Sequence, residues 1–264
     1  MTRTRIALGI EYDGASFFGW QLQPGKRTIQ ACLEDALSRV ADEGVSVQCA
    51  GRTDTGVHAT GQVAHFDTQA ERDERSWILG ANSHLPPDIS VRWARAVRAD
   101  FDARYSALRR TYCYLILNRM TRPALLCHRV YWECRPLDAA AMHEAGSALL
   151  GEHDFSAFRG AGCQAKTAVR TIERLEVSRD ADLLRLEVTA NAFLLHMVRN
   201  IAGTLLAVGL GQQPIDWVRA VLHGRDRARG GITASGGGLY LLAVEYPPQF
   251  GIPVSRSDVR VVGV

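Results

Sequence analysis

Ala50-Gly51-Arg52-Thr53-Asp54-Thr55-Gly56-Val57-His58-Ala59-Thr60-Gly61 is the stretch on which the reading of this chain turns. An apolar run at 45–49 leads into it and a second at 62–66 leads away, which predicts a loop between two half-buried strands. Gly51, Gly56 and Gly61 are spaced so that the backbone can turn sharply and approach a ligand closely. Within that frame Arg52, Asp54 and His58 form a dense polar set. A carboxylate beside a guanidinium is held ionised by the opposite charge. An ionised carboxylate on a rigid loop can act as a nucleophile. Three readings compete. A Gly-rich turn with a surface ion pair needs no function, because loops carry polar residues for solubility alone. A phosphate-binding loop starts well at Gly51-x-x-x-x-Gly56 but continues with Val57-His58, where Lys and then Ser or Thr are required. That reading fails. The third is a catalytic aspartate with an arginine two residues before it.

Working outward, Arg5–Tyr12 alternates as a strand, and Asp13-Gly14 turns it into a loop holding Phe17, Phe18 and Trp20, read as a packing plug. Thr28 is placed to cap a helix whose apolar face runs Ile29, Cys32, Leu33, Ala36, Leu37, Val40, with Gly44 as its stop. After the strands at 45–49 and 62–66 come a helix near Glu74–Asn82, closed by Pro86-Pro87, and a strand at Ile89–Val97. The order is β-α-β-β-α-β, the split unit of a ferredoxin-like fold. The second half repeats it: a strand at Thr111–Leu117, a possible addition at Arg129–Cys134, a helix from Asp138 to Leu150 stopped by Gly151, and a hairpin of 171–178 with 183–190. A long helix from Phe193 to Leu205, a short one after Pro214 and a strand at Leu239–Tyr246 complete it. The expectation is an α+β protein of two ferredoxin-like units joined in a broad, mostly antiparallel sheet, helices on one face and a basic cleft on the other. The domains expected are 1–105 and 106–247, with a tail at 248–264.

The totals suit this size of fold: 264 residues, 47% hydrophobic, enough for one large or two ordinary domains. A net charge of +3 argues little for a polyanionic partner by itself. Its distribution says more. Six arginines lie between Arg92 and Arg110 and four between Arg219 and Arg229, and such clusters suit a phosphate backbone. Six cysteines form no Cys-x-x-Cys pair; Cys127-His128 with Cys134 comes nearest to metal spacing and lacks the paired ligands. The reading is buried or free thiols in a reducing compartment, with no metal and no cofactor. The apolar stretch Ile6–Ile10 is too short for a signal peptide, no segment approaches a membrane span, and a cytosolic protein is expected.

Ala-Gly-Arg52-Thr-Asp54-x-Gly-Val-His58 closely resembles the signature loop of the tRNA pseudouridine synthase A family. Further fragments follow in the family's order: Tyr12-Asp-Gly with Phe-x-Gly-Trp20-Gln, Arg110-Thr-Tyr112-x-Tyr114, His153-Asp-Phe-Ser-x-Phe158-Arg, Asn191-Ala-Phe193-x-x-His-Met-Val-Arg199-Asn, and Gly-Leu239-Tyr-Leu. The segment 69–75 and the chain after about Phe250 have no such counterpart. The resemblance implies isomerisation of uridine to pseudouridine in the anticodon stem-loop of tRNA, at positions 38, 39 and 40, by a cytoplasmic homodimer without cofactor. It implies Asp54 as the catalytic residue: nucleophile at ribose C1′ or at the uracil ring, or base in an elimination. Among substrate-binding residues, Tyr112 would stack on uracil with its hydroxyl near the C5 proton, and Arg199 would hold Asp54 ionised. Arg52 would pair with Asp54 or support a flipped nucleotide. His58 would keep loop geometry or touch RNA.

Each residue also has a plain reading. A tyrosine on a strand is usually core, and a helix arginine is usually a solvated charge. Three rival functions remain. An RNA-binding module without catalysis would lack the nucleophile, and Asp54 is present. A metal-dependent aspartyl phosphotransferase would carry Asp-x-Asp, where this chain has Arg52-x-Asp54. A purely structural scaffold is compatible with the fold class alone.

Overall fold

The computed structural model describes residues 3–253, which cluster into two compact units. One comprises residues up to 109 together with those from 241 onward, the other residues 110–240.

The first unit opens with β1 (Thr4–Tyr12), followed by α1 (Ile29–Ala41), β2 (Gln48–Cys49), β3 (His58–Thr68), α2 (Glu74–His84) and β4 (Ile89–Val97). β1 is the centre of its sheet, antiparallel to β3 on one side and to β4 on the other. β2 adds to β3 through Gln48 opposite His65. The order β4-β1-β3-β2 is that of a split β-α-β-β-α-β unit, as expected. Ile6, Leu8 and Ile10 alternate with Ala7 and Gly9, and nearly all are buried, so β1 is covered on both faces. Thr28 caps α1, its hydroxyl accepting from the Ala31 N–H at 3.4 Å, and Ile29, Leu33, Ala36 and Leu37 form the buried stripe. The stop differs from expectation. Asp42, not Gly44, takes the left-handed conformation at φ 56°, which a short polar side chain tolerates. α1 packs on α2, which puts both helices on one face of this sheet.

In the second unit the elements are β5 (Arg109–Asn118), β6 (Tyr131–Glu133), α3 (Ala139–Ser147), β7 (Gly151–Asp154), β8 (Val169–Asp180), β9 (Leu183–Ala190), α4 (Met197–Gly209) and α5 (Trp217–Gly224). Its strands run β5-β9-β8-β7 in antiparallel contact, and β6 lies parallel to β5. The closing strand β10 (Leu239–Glu245) begins in this unit and ends in the first. The α+β class and the mostly antiparallel pairing hold, with three local differences. α3 ends at Ser147, and Gly151, at φ +94°, starts the unforeseen strand β7. α4 starts at Met197, because His196 before it is left-handed at φ 60°; Phe193 and Leu194 therefore sit in the approach to the helix. Finally, within the start of the expected tail at 248–264, Phe250 is buried, its ring 5.3 Å from that of Phe101. The rest of the expected tail, from 254, lies outside the described residues.

Among the described residues no helix is long and apolar enough to cross a membrane.

Candidate active site

Asp54 lies on the loop that carries the chain from β2 to β3. The loop is shorter than the sequence suggests, since β3 already begins at His58. Gly56, at φ +76°, makes the turn. Gly61 serves another purpose: a Cβ there would lie 2.0 Å from the Leu242 carbonyl oxygen, so its bareness admits β10 and not a ligand.

The loop is held from below and from one side. Below, the Tyr12 hydroxyl and Thr53 Oγ1 are 2.8 Å apart and buried, and Gln62 Nε2 donates to the Gly51 carbonyl at 2.7 Å and to Tyr12 Oη at 3.3 Å. From the side comes the turn after β1. The Trp20 N–H donates to the Thr53 carbonyl at 2.9 Å. Gly19, at φ +84°, lies so close that a Cβ would sit 2.6 Å from the Thr53 oxygen and 3.0 Å from the Asp54 carbonyl carbon. A Cβ on Gly14 would lie 1.9 Å from the Val57 oxygen. The backbone on both flanks of Asp54 is thus pinned by Gln62 and by the distant turn after β1, leaving its half-buried side chain on a rigid support.

His58 is buried, and its Nδ1 accepts the Gly14 N–H at 3.0 Å. Asp13 Oδ1 lies 3.1 Å from the same nitrogen. This position ties β3 to the turn after β1. Arg52 is exposed. Its positive charge is felt at Cys49, although burial dominates there and pushes that thiol up to about 12.

Tyr112 and Arg199 belong to the second unit. Tyr112 is buried on β5 opposite Val188, its ring edge-on to Phe193 at a centroid separation of 5.0 Å. Arg110 reaches the Asn191 carbonyl at 3.1 Å, so the segment leading to α4 is tied to β5 at both residues. Arg199 is half-buried in the first turn of α4. Its Nε donates to the Ala234 carbonyl at 2.7 Å, while the Ala234 N–H donates to the Arg199 carbonyl at 3.1 Å. The strap 230–235 that supplies Ala234 is itself held down. Asn200 Oδ1 accepts from the Thr233 hydroxyl at 2.6 Å and from Arg227 at 3.0 Å, and Asn200 Nδ2 donates to the Phe158 carbonyl at 2.8 Å.

The same description of a family, tRNA pseudouridine synthase, matches residues 9–106 and again residues 145–247. Together these segments span well over half of the chain. The chain belongs to the tRNA pseudouridine synthase family. Proteins named tRNA pseudouridine synthase A share 54% identity with it in Coxiella burnetii (strain Dugway 5J108-111), over 94% of this chain and 95% of that protein. In Nitrosococcus oceani the identity is 55%, over 97% and 99%. In Aeromonas hydrophila subsp. hydrophila it is 56%, over 94% and 93%. A solved Cbf5-Nop10-Gar1 complex aligns with 76% of this chain and 54% of its own at a TM-score of 0.29 and 14% identity, too slight a likeness to inform the fold.

For a tRNA pseudouridine synthase, the sequence motifs name candidate residues but miss what immobilises them. Thr53, Gln62 and Ala234 do not stand out in sequence, since their roles depend on partners from distant elements. The arginine cluster at 92–110 is also less free than it reads. Arg92 meets Glu11 at 3.4 Å, Arg98 meets Asp100 at 3.0 Å, Arg109 meets Glu245 at 3.4 Å, and Arg110 is buried. Exposed pairs of this kind are weak and can exchange for a phosphate.

Proposed function

We propose that this synthase converts uridine to pseudouridine in the anticodon stem-loop of tRNA, at positions 38, 39 and 40, with Asp54 as its catalytic residue. The supporting observation is the support of Asp54: a half-buried carboxylate whose backbone is clamped by Trp20, Gly19 and the Tyr12–Thr53 pair. Holding a reacting group in one geometry lowers the barrier by avoiding its reorganisation.

The reaction cleaves the bond from uracil N1 to ribose C1′, turns the ring, and joins C5 to C1′. The proton on C5 leaves and N1 acquires one. Asp54 acts at C1′, on the uracil ring, or as the base of an elimination. Tyr112 stacks on the uracil and brings its hydroxyl to the C5 proton. Arg199 serves as a further substrate-binding residue. Arg52, exposed, supports the flipped nucleotide through its phosphate. His58 shapes the loop. The reading includes a cytosolic homodimer, with no metal or cofactor in the chemistry.

Release of tritium from tRNA labelled at uracil C5 tests the assignment. The wild-type protein is expected to release it from an anticodon stem-loop with uridines at 38–40, and Asp54→Asn to release none while still binding tRNA. Full activity in Asp54→Asn would refute the catalytic role. No release by the wild type would remove the substrate assignment.

A further inference from the structure

The turn between β1 and α1 carries a side chain that packing does not explain. Phe17 and Trp20 are buried plugs, whereas Phe18 between them is 46% exposed. A lone exposed apolar residue is ordinary. Phe18 is not held like one. Its N–H donates to the Arg27 carbonyl at 3.0 Å, and its own carbonyl accepts from Gln23 Nε2 at 2.9 Å, so the backbone beneath the ring is fixed. The next residue is Gly19, which lies against the Thr53–Asp54 peptide. The ring is therefore presented one residue from the support of Asp54.

A cation accompanies it. Lys26 Nζ lies 4.4 Å from the Phe18 ring centroid. The neighbouring pair differs: Arg27 lies over Phe17 at 4.0 Å, but both its terminal nitrogens are bound to Asp88 at 2.8 and 2.9 Å, which makes it part of the scaffold. Lys26, one of only two lysines in the chain, has a flexible stem and a compact charge. A cation over an exposed ring is only weakly bound, so the ammonium is able to leave it for a phosphate.

We propose that Phe18 and Lys26 form a nucleotide subsite beside Asp54, the ring stacking on a base next to the reacting uridine and the ammonium taking that nucleotide's phosphate. The inference rests on the reading of this protein as a tRNA-modifying enzyme. Extracting one base from its stack leaves its neighbours with an uncovered face. Aromatic side chains replace that stacking in single-stranded RNA without requiring a particular base.

The test is steady-state tritium release from C5-labelled tRNA at several salt concentrations, with wild type, Phe18→Leu, Phe18→Tyr and Lys26→Gln. Phe18→Leu is expected to raise KM about tenfold with kcat nearly unchanged, and Phe18→Tyr to stay near wild type. Lys26→Gln is expected to flatten the dependence of log KM on log salt by about 0.7–0.9, the share of one phosphate. A wild-type KM in Phe18→Leu would overturn the stacking role, as would equal losses in the leucine and tyrosine variants. A melting temperature lowered in step with activity would make the ring a scaffold residue and also overturn it. An unchanged salt slope in Lys26→Gln would remove the phosphate contact. Wild-type protein that releases no tritium would defeat the parent reading and this one together, whereas active wild type with an insensitive Phe18 would defeat this one alone.

Discussion

At the scale of single residues, Asp54 depends on neighbours that carry no charge. The Tyr12 hydroxyl joins Thr53 and Gln62 beneath the loop, in a site closed to water. Removing it strands the Thr53 hydroxyl and one Gln62 proton, and each unsatisfied buried group costs about 1–3 kcal/mol. Tyr12→Phe is therefore expected to lower stability by about that amount in chemical denaturation. Because the loop also loosens, single-turnover rates are expected to fall about 10- to 100-fold. A destabilised variant with an unchanged rate would separate the hydroxyl from the geometry of Asp54. Phe18 shows the opposite case: its apolar spacing with Phe17 and Trp20 suggests a plug, and only the fold shows which of the three faces outward.

At the scale of elements, α4 and the strap 230–235 form one structural piece. A Cβ on Gly203 would lie 1.8 Å from the Ile232 carbonyl oxygen, backbone against backbone, with no flexible side chain to yield. Gly203→Ala must push the strap away from the helix, and with it the Ala234 carbonyl that holds Arg199. The expected cost is roughly 3 kcal/mol or more, at the upper end for overpacking. Gly162→Ala is the comparison: φ there is +78° with nothing within 4 Å, so only the strain of about 1–2 kcal/mol applies. Melting curves of both variants decide it. Equal shifts would mean that the strap moves freely.

For the molecule as a whole, pH should act through both units: in the second, hydrogen bonds from Arg135 and Ser156 hold Glu133 and Asp154 below their ordinary carboxylate values, and the first adds a histidine. Burial holds the His65 imidazole below its ordinary 6.5, with the Arg5 charge adding to the effect, while Nδ1 accepts the Ala103 N–H at 3.1 Å. The unfolded chain therefore binds a proton that the fold resists. Stability is complete above about pH 6.5 and declines as pH falls below it. Asp67 is held below its ordinary 3.8 mainly by its hydrogen bond from Arg5, so its contribution is present above that value and fades on further acidification. Both effects have the same sign. The melting temperature is expected to be level above neutrality and to fall in two stages, the first beginning as pH drops below about 6.5 and the second below about 3.8. His65→Asn, which keeps an acceptor, should shrink the first stage; an unaltered first stage would assign it elsewhere.

The sequence by itself determined the α+β class, the order of elements in the first half, and the family, because periodicity, caps such as Thr28 and Asp138, and the motif around Asp54 are written in neighbouring residues. It missed β7, the true start of α4 and the stop of α1, where a left-handed His196 or Asp42 replaced the expected punctuation. Only the tertiary structure decided which residues hold the candidate site. Tyr12 meets Thr53, Gly19 meets Asp54, and Ala234 meets Arg199 across intervals of 35 residues or more. Such contacts leave no local periodicity, since they arise when separate elements pack and their backbones must approach or share hydrogen bonds.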